Sequence, residues 1–182
     1  MKTLKSDRLI LRNWNISDLE DLHEFVSNKK VADLAGFKIK NNKEDTLKTL
    51  QRFISDCNDS LWEVKLKELD KVVLWAIELK ELNKVVGWIE VCEAKEETFR
   101  YSKEIGFTLA EEYWGQGLMI EAIGRVLDYL FNEEEIDAVV CSHFINNSQS
   151  EKAIKKCGFK FYLEDDNEKY YCLSKDAIVK IK

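Results

Sequence analysis

The segment from Phe99 to Phe131 constrains the fold more than any other. It reads as a strand ending near Leu109, a loop with glycines at 115 and 117, and a helix. The helix's apolar positions Ile120, Ile123, Val126, Leu127 and Leu130 recur at helical spacing. A strand feeding a helix through a tight turn needs a sheet for that helix to pack on, which points to a mixed class. Glycines before a helix also let successive amides face outward at the helix's positive end, a seat for an anion such as a pyrophosphate. Two familiar phosphate loops do not fit. A dinucleotide fingerprint wants a third glycine where this chain has Ile120, and an acidic residue where it has Ser142 and His143. A Walker loop needs Gly-Lys-Ser/Thr, which does not occur.

The rest of the chain supplies the sheet. Arg8 to Trp14 reads as a first strand, and Ser17 with Glu20 as a capping box ahead of a helix carrying Leu19, Leu22, Phe25 and Val26 on one stripe. A second helix is predicted from Lys43 to Cys57 behind Asn42. Residues 60–71 fit either a helix or a strand. Val72 to Leu79 and Val85 to Cys92 pair as antiparallel strands. Ile136 to Ser142 is a strand, Ser148 to Lys156 a short helix, and Phe159 to Leu163 and Tyr170 to Leu173 close the sheet. Trp14, Trp62, Trp75 and Trp88 fall in apolar patterns and are expected in the core. No proline, repeat or Gly/Ser-rich linker interrupts the 182 residues, so one domain over 1–182 is expected. The fold class is α/β (α+β): a single mixed, mostly antiparallel sheet flanked by helices.

Charge and cysteine usage narrow the function classes. The chain carries 28 basic and 34 acidic residues, net -6, a field that repels phosphate backbones, so no nucleic-acid partner is expected. The longest purely apolar run, Val72 to Ile77, is far below a membrane span, and the N-terminus lacks a signal-peptide pattern. A cytoplasmic protein without a membrane partner is expected. Cys57, Cys92, Cys141, Cys157 and Cys172 form no C-x-x-C pair, and the only histidines are His23 and His143. No disulfide framework and no metal site is expected.

Trp114-Gly-Gln-Gly-Leu-Met119 resembles the R/Q-x-x-G-x-G/A pyrophosphate loop of the GNAT superfamily of acetyl-CoA-dependent N-acetyltransferases. Downstream, Asn147-Ser-Gln-Ser150 and Lys156-Cys-Gly-Phe159 look like its N-x-x-S and K-x-G-F signatures. Asp7-Arg-Leu-Ile-Leu-Arg12 and Val86-Gly87-Trp88 look like the branch containing the ribosomal-protein-alanine acetyltransferases. The resemblance runs from about residue 5 to 165. It departs from the pattern at three positions: Trp114 replaces a side-chain donor, Met119 replaces a small residue, and Ile154 stands where many members place a catalytic tyrosine.

The resemblance implies acetyl transfer from acetyl-CoA to an amine acceptor: a protein N-terminus, a polyamine or a small amine. The alternative it leaves open is a non-catalytic acyl-CoA-binding or regulatory domain; monomer and homodimer also both remain open. Phe107, Thr108 and Leu109 would pair with the pantetheine arm through their backbone, and Trp114, Gly115, Gln116, Gly117, Leu118 and Met119 would form the pyrophosphate loop. Asn147 would reach the cofactor arm. Ser150 would contact the cofactor and assist thiolate departure, and Glu104 would serve as base. An ordinary glutamate near pKa ~4.3 is mismatched to an ammonium near ~10, so that role requires desolvation or a water chain.

Overall fold

The structure, a computed structural model, describes residues 1–57, 72–94 and 102–176. The chain runs β1 (Leu4–Lys5), β2 (Leu9–Arg12), α1 (Leu19–Val26), α2 (Lys29–Ala35), α3 (Lys43–Cys57), β3 (Val73–Leu79), β4 (Lys84–Glu93) and β5 (Ser102–Leu109). It continues with α4 (Leu118–Asn132), β6 (Ala138–Phe144), α5 (Ser148–Lys156), β7 (Lys160–Glu164) and β8 (Glu168–Ser174). The strands form one sheet in the order β1-β2-β3-β4-β5-β6-β8-β7. Every neighbouring pair is antiparallel except β5 and β6, whose parallel pairing requires the crossover that α4 provides. The mixed, mostly antiparallel sheet expected from the sequence is present.

Ring contacts fix the layers. Trp88 on β4 packs against Phe25 of α1 and Phe53 of α3, at 5.7 and 5.8 Å between centroids. Trp75 on β3 meets Tyr129 of α4 edge-on at 6.1 Å. Ala76, next to Trp75, is the partner of Trp88, so alternation places α4 on the opposite face from α1 and α3. Both faces are therefore covered, and β3 reads as a nearly continuous buried run. Among the described residues, no helix is long and apolar enough to cross a membrane.

The local signals differ from expectation in several places. The turn before α1 is capped by Asn15 and Asp18, not by Ser17 and Glu20. The Asn15 N–H donates to the Asp18 carboxylate (2.8 Å), and Arg12 grips the same carboxylate with two N–H groups (2.8 and 2.9 Å). An ion pair from β2 thus selects which cap forms. The short strand β1 and helix α2 have no counterpart in the periodicity reading. Helix α2 spans only Lys29–Ala35, too short for a clear stripe, yet its ends are legible. Asn28 accepts from the Lys30 and Val31 amides, and Gly36 closes the helix at φ 74°. Trp14 and Trp75 are buried as expected, whereas Trp88 is only half-buried and faces a cleft. The ambiguous stretch 60–71, with Trp62, lies outside the described residues, as do residues 99–101 of the predicted β5.

Candidate active site

Strands β5 and β6 stay paired only from Ser102↔Ala138 to Glu104↔Val140. Beyond that point β5 runs on to Leu109 and β6 to Phe144 without pairing, and a cleft of about 790 Å³ opens between them. The pairing of β4 with β5 settles which way the backbone of β5 faces. Ala110 N–H donates to the Val86 carbonyl (2.8 Å), so with period two Thr108 and Gly106 also turn toward β4. Phe107 and Leu109 then turn their N–H and C=O groups the other way; the Leu109 carbonyl is taken by the Trp114 indole N–H, which leaves the Phe107 pair and the Leu109 N–H toward the cleft. Such an unpaired strand edge accepts an extended, amide-bearing ligand as an additional strand.

The glycine turn closes one end of this edge. Gly115 and Gly117 both adopt left-handed backbone, φ 76° and 77°, which a side chain would strain. A Cβ on Gly115 would meet nothing within 4 Å, so the loop presents open backbone. Gly117 caps α4, and the helix's first amides have no partner within the helix. Leu118 and Met119 are buried in the core, which leaves their backbone as what they offer to the cleft. The turn is held from below by Arg8, which donates to the Gln116 carbonyl (3.0 Å) and to Glu121 in the first turn of α4 (2.6 Å). Glu121 is held below the usual carboxylate range by hydrogen bonds from Arg8 and Ser6, which outweigh its partial burial. Trp114 gives its indole N–H to the Leu109 carbonyl (2.7 Å), so the side chain replacing the expected donor braces β5 against the loop.

Glu104 lies at the other end of the cleft, beside a residue that the sequence reading did not single out. Glu90 of β4 faces the cleft two positions from Trp88; a Cβ on Gly106 would sit 2.6 Å from the Glu90 Oε1, so the carboxylate lies over that glycine. Burial pushes the Glu90 carboxyl above the usual carboxylate range, the charge of Glu104 adds to the rise, and Arg52 opposes it. A carboxylate raised in this way can take up a proton at higher pH than an ordinary one. The sequence signal of Glu90 was a lone carboxylate inside the apolar run Val85–Val91.

A roof crosses the cleft. Helix α2 contributes Val31, Leu34 and Ala35, and Phe37 follows it. The roof is tied on both flanks. Asn28 and Lys30 bond Glu111 (3.0 and 2.6 Å), and the Lys30 ammonium sits 5.2 Å above the Trp114 ring. Across the cleft, Asn147 donates to the Leu34 carbonyl (2.9 Å) while its Oδ1 accepts the Ser150 N–H (3.0 Å). Asn147 is therefore both the cap of α5 and the tie to α2. Glu111 thus anchors the roof, and its carboxyl is lowered by the Lys30 and Asn28 hydrogen bonds.

Of the residues expected at the site, all but Gln116 line the cleft. Gln116 is exposed and turns its amide back to the Glu112 carbonyl (2.9 Å). Ser150 lines the cleft at the first turn of α5, whereas Ile154 is fully buried. His143 also lines it, with its ring stacked on Tyr171 and bonded to the Phe144 carbonyl (2.8 Å). Two nearby thiols are poor nucleophiles: burial raises Cys141 far above its ordinary value and Cys157 to about 11.

The sequence model of a family described as "Acetyltransferase (GNAT) domain" matches residues 8–160. The chain is 26% identical over 160 residues to the uncharacterized N-acetyltransferase YoaA of Bacillus subtilis, covering 86% of this chain and 82% of that protein. Its structure is similar to a GNAT-family acetyltransferase from Bacillus anthracis, with a TM-score of 0.75 at 20% identity over 96% of this chain and 99% of that one. It is also similar to RimL, a ribosomal L7/L12 alpha-N-protein acetyltransferase solved with coenzyme A, with a TM-score of 0.73 at 19% identity over 97% and 99% of the two chains. Both structural likenesses are likenesses of fold.

Proposed function

We propose, from the premise that this chain belongs to the GNAT acetyltransferase family, that it transfers an acetyl group from acetyl-CoA to a primary amine by direct attack on the thioester. The observation that carries this reading is one continuous cleft joining the free amide edge of Phe107 and Leu109, the Gly115–Gly117 turn and the Glu90/Glu104 pair. The open backbone at Gly115 and the unpartnered first amides of α4 fit a pyrophosphate. Lys152 and Lys156, exposed on α5 at the cleft's rim, add positive charge on the cofactor side. When bound, acetyl-CoA supplies the thioester carbon that the amine attacks.

The remaining chemistry falls to the chain's own groups. Glu90, raised by burial above the usual carboxylate range, takes one proton from the bound ammonium to give the neutral amine, and the second proton, lost as the C–N bond forms, goes to the departing thiolate. Glu104 supplies the adjacent charge that raises Glu90 and holds the incoming ammonium. The cleft-facing amide of Phe107 or Leu109 stabilises the oxyanion. Ser150 hydrogen-bonds the sulfur as the C–S bond breaks. A thiol leaving group with pKa near ~8.5 needs only that assistance, so the loss of the tyrosine position to Ile154 is compatible with turnover. The buried thiols of Cys141 and Cys157 favour direct attack over an acyl-enzyme.

The test is release of free coenzyme A thiol across a panel of primary amines, paired with calorimetric titration of acetyl-CoA. Amine-dependent release is expected. Tight binding of acetyl-CoA with no release from any amine would instead establish the non-catalytic reading, for which Ile154 and the tethered Trp114 are the supporting features.

A further inference from the structure

The turn's amide at residue 117 shares a peptide plane with the Gln116 carbonyl. That peptide is trans, so its C=O and N–H point in opposite directions, and whatever holds one aims the other. The Arg8 Nη1 donates to the Gln116 carbonyl (3.0 Å). Gly117 lines the cleft and Arg8 does not, so an N–H pointing away from Arg8 faces the cleft. This plane needs a lock. Gly117 sits at φ 77°, and glycine adopts either sign of φ about as readily, so the peptide preceding it turns over at little steric cost. Turned over, it would set the Gln116 carbonyl oxygen, the negative end of the peptide dipole, against a bound anion.

The lock is itself held. The Arg8 Nε donates to Glu121 (2.6 Å), whose other oxygen accepts the Arg8 backbone N–H (2.7 Å) and the Ser6 hydroxyl (2.7 Å). Glu121 stands in the first turn of α4, so the guanidinium joins that helix to the loop before it. The remaining Nη2 lies 3.6 Å from where a Cβ on Gly117 would stand, against the turn. The Arg8 side chain is half exposed and its charge is already paired with Glu121, so it brings direction to the turn more than charge. Reaching both acceptors takes a planar fork of fixed donors, which a lysine ammonium does not have. Trp114 does not share this work, because its indole N–H is spent on the Leu109 carbonyl.

We propose that Arg8 is a positioning residue for the coenzyme's pyrophosphate: by holding the Gln116 carbonyl it aims the Gly117 N–H at the anion, without touching the cofactor itself. This rests on the acetyl-transfer reading above, in which the turn seats acetyl-CoA. The experiment titrates wild type, Arg8→Met and Arg8→Lys calorimetrically with coenzyme A and with pantetheine, the same arm without pyrophosphate and nucleotide. In Arg8→Met, coenzyme A affinity should fall about tenfold or more while pantetheine affinity holds. Arg8→Lys keeps the charge and loses the fork, and its coenzyme A affinity should fall on the order of threefold or more. Nitrogen-15 NMR reads the amide itself. The Gly117 amide proton should move downfield when coenzyme A binds to the wild type, and that movement should be lost in Arg8→Met. Equal losses for coenzyme A and pantetheine would make Arg8 a residue of general folding and overturn the proposal. Full coenzyme A affinity in either variant, or an unchanged Gly117 response, would overturn it as well. If Arg8→Met does not fold, the same two readouts on Arg8→Lys decide. A wild type that binds no coenzyme A would defeat the acetyl-transfer reading, whereas wild-type binding with unaffected variants defeats the lock alone.

Discussion

Glu90→Gln separates two effects of opposite sign. The amide keeps the shape of the carboxylate but accepts no proton. If Glu90 is the base, turnover falls by ~10²- to 10⁴-fold, about 2.7–5.4 kcal/mol of barrier at 1.36 kcal/mol per decade. Stability moves the other way. The folded-state carboxyl is raised above its ordinary value of 4.5, chiefly by burial. The folded chain then binds more protons than the unfolded one between that value and the raised one. Stability from this group is complete below the unfolded pKa and is lost as pH rises through the folded pKa. Above the folded value the ionised carboxylate opposes the fold, with no hydrogen-bond partner among the described residues. The glutamine variant should be more stable there by on the order of 1 kcal/mol, the scale on which single substitutions at part-buried sites act. At this chain length that is a rise of about 2–4 °C in Tm. Melting curves across pH, beside thiol-release rates, measure both. The Tm gain should shrink as pH falls toward the ordinary carboxylate range. A Tm that drops at neutral pH, or a gain that does not depend on pH, refutes the desolvation argument; undiminished turnover refutes the base assignment. Glu104→Gln gives the companion signature, since it removes the charge that lifts Glu90. The rising limb of kcat/KM against pH should move to lower pH.

Gly117→Val forces a β-branched residue to φ 77°, at a cost of at least ~1–2 kcal/mol of backbone strain, while the nearest atom to its Cβ, the Arg8 Nη2, is at an ordinary 3.6 Å. Acetyl-CoA affinity in calorimetry should fall about tenfold or more, and an unchanged affinity in the folded variant would remove the turn from the binding site. Gly87→Ala would place a Cβ 2.2 Å from the Thr108 carbonyl oxygen, so the β4–β5 ladder must open. A loss of ~1–3 kcal/mol is expected, and an unaltered melting curve would contradict it. Asn147→Ala deletes the α5 cap and the tie to Leu34 together, with a loss of ~1 kcal/mol and faster amide hydrogen exchange in α2. Exchange that stays at the wild-type rate would show that the roof does not depend on this tie. Ser150→Ala should lower turnover by ~10- to 100-fold with acetyl-CoA affinity retained, because a group needed only as charge develops contributes little to the ground state. Loss of affinity with intact single-turnover chemistry would make Ser150 a binding residue.

The sequence by itself determined the elements whose causes are local. Helix α3 begins behind Asn42, whose Oδ1 accepts the Asp45 N–H (2.8 Å), and its bounds Lys43–Cys57 match the periodicity. Helix α5 occupies Ser148–Lys156 as the Asn147 cap predicts, and the strand–glycine turn–helix order of 102–132 is written in residue types that few other conformations tolerate. The cofactor side of the site was therefore legible, since backbone amides at a glycine turn come from one stretch of chain. Its far end was not. Glu90 is an ordinary strand residue until β5 brings Gly106 and Glu104 beside it and burial raises its pKa. Trp88 reads as core because nothing in β4 reveals that β5 and β6 part after Glu104 and expose its ring to a cleft. Helix α2 becomes a roof only through Glu111 and Asn147, which lie far along the chain. Likewise, Asn15 and Asp18 displace the Ser17–Glu20 cap because Arg12 on β2 holds the Asp18 carboxylate. Hydrogen bonds within one turn act between near neighbours, so the order of residues encodes them directly. Desolvation, strand divergence and charge pairing depend on which distant segments meet, and only the folded chain sets those distances.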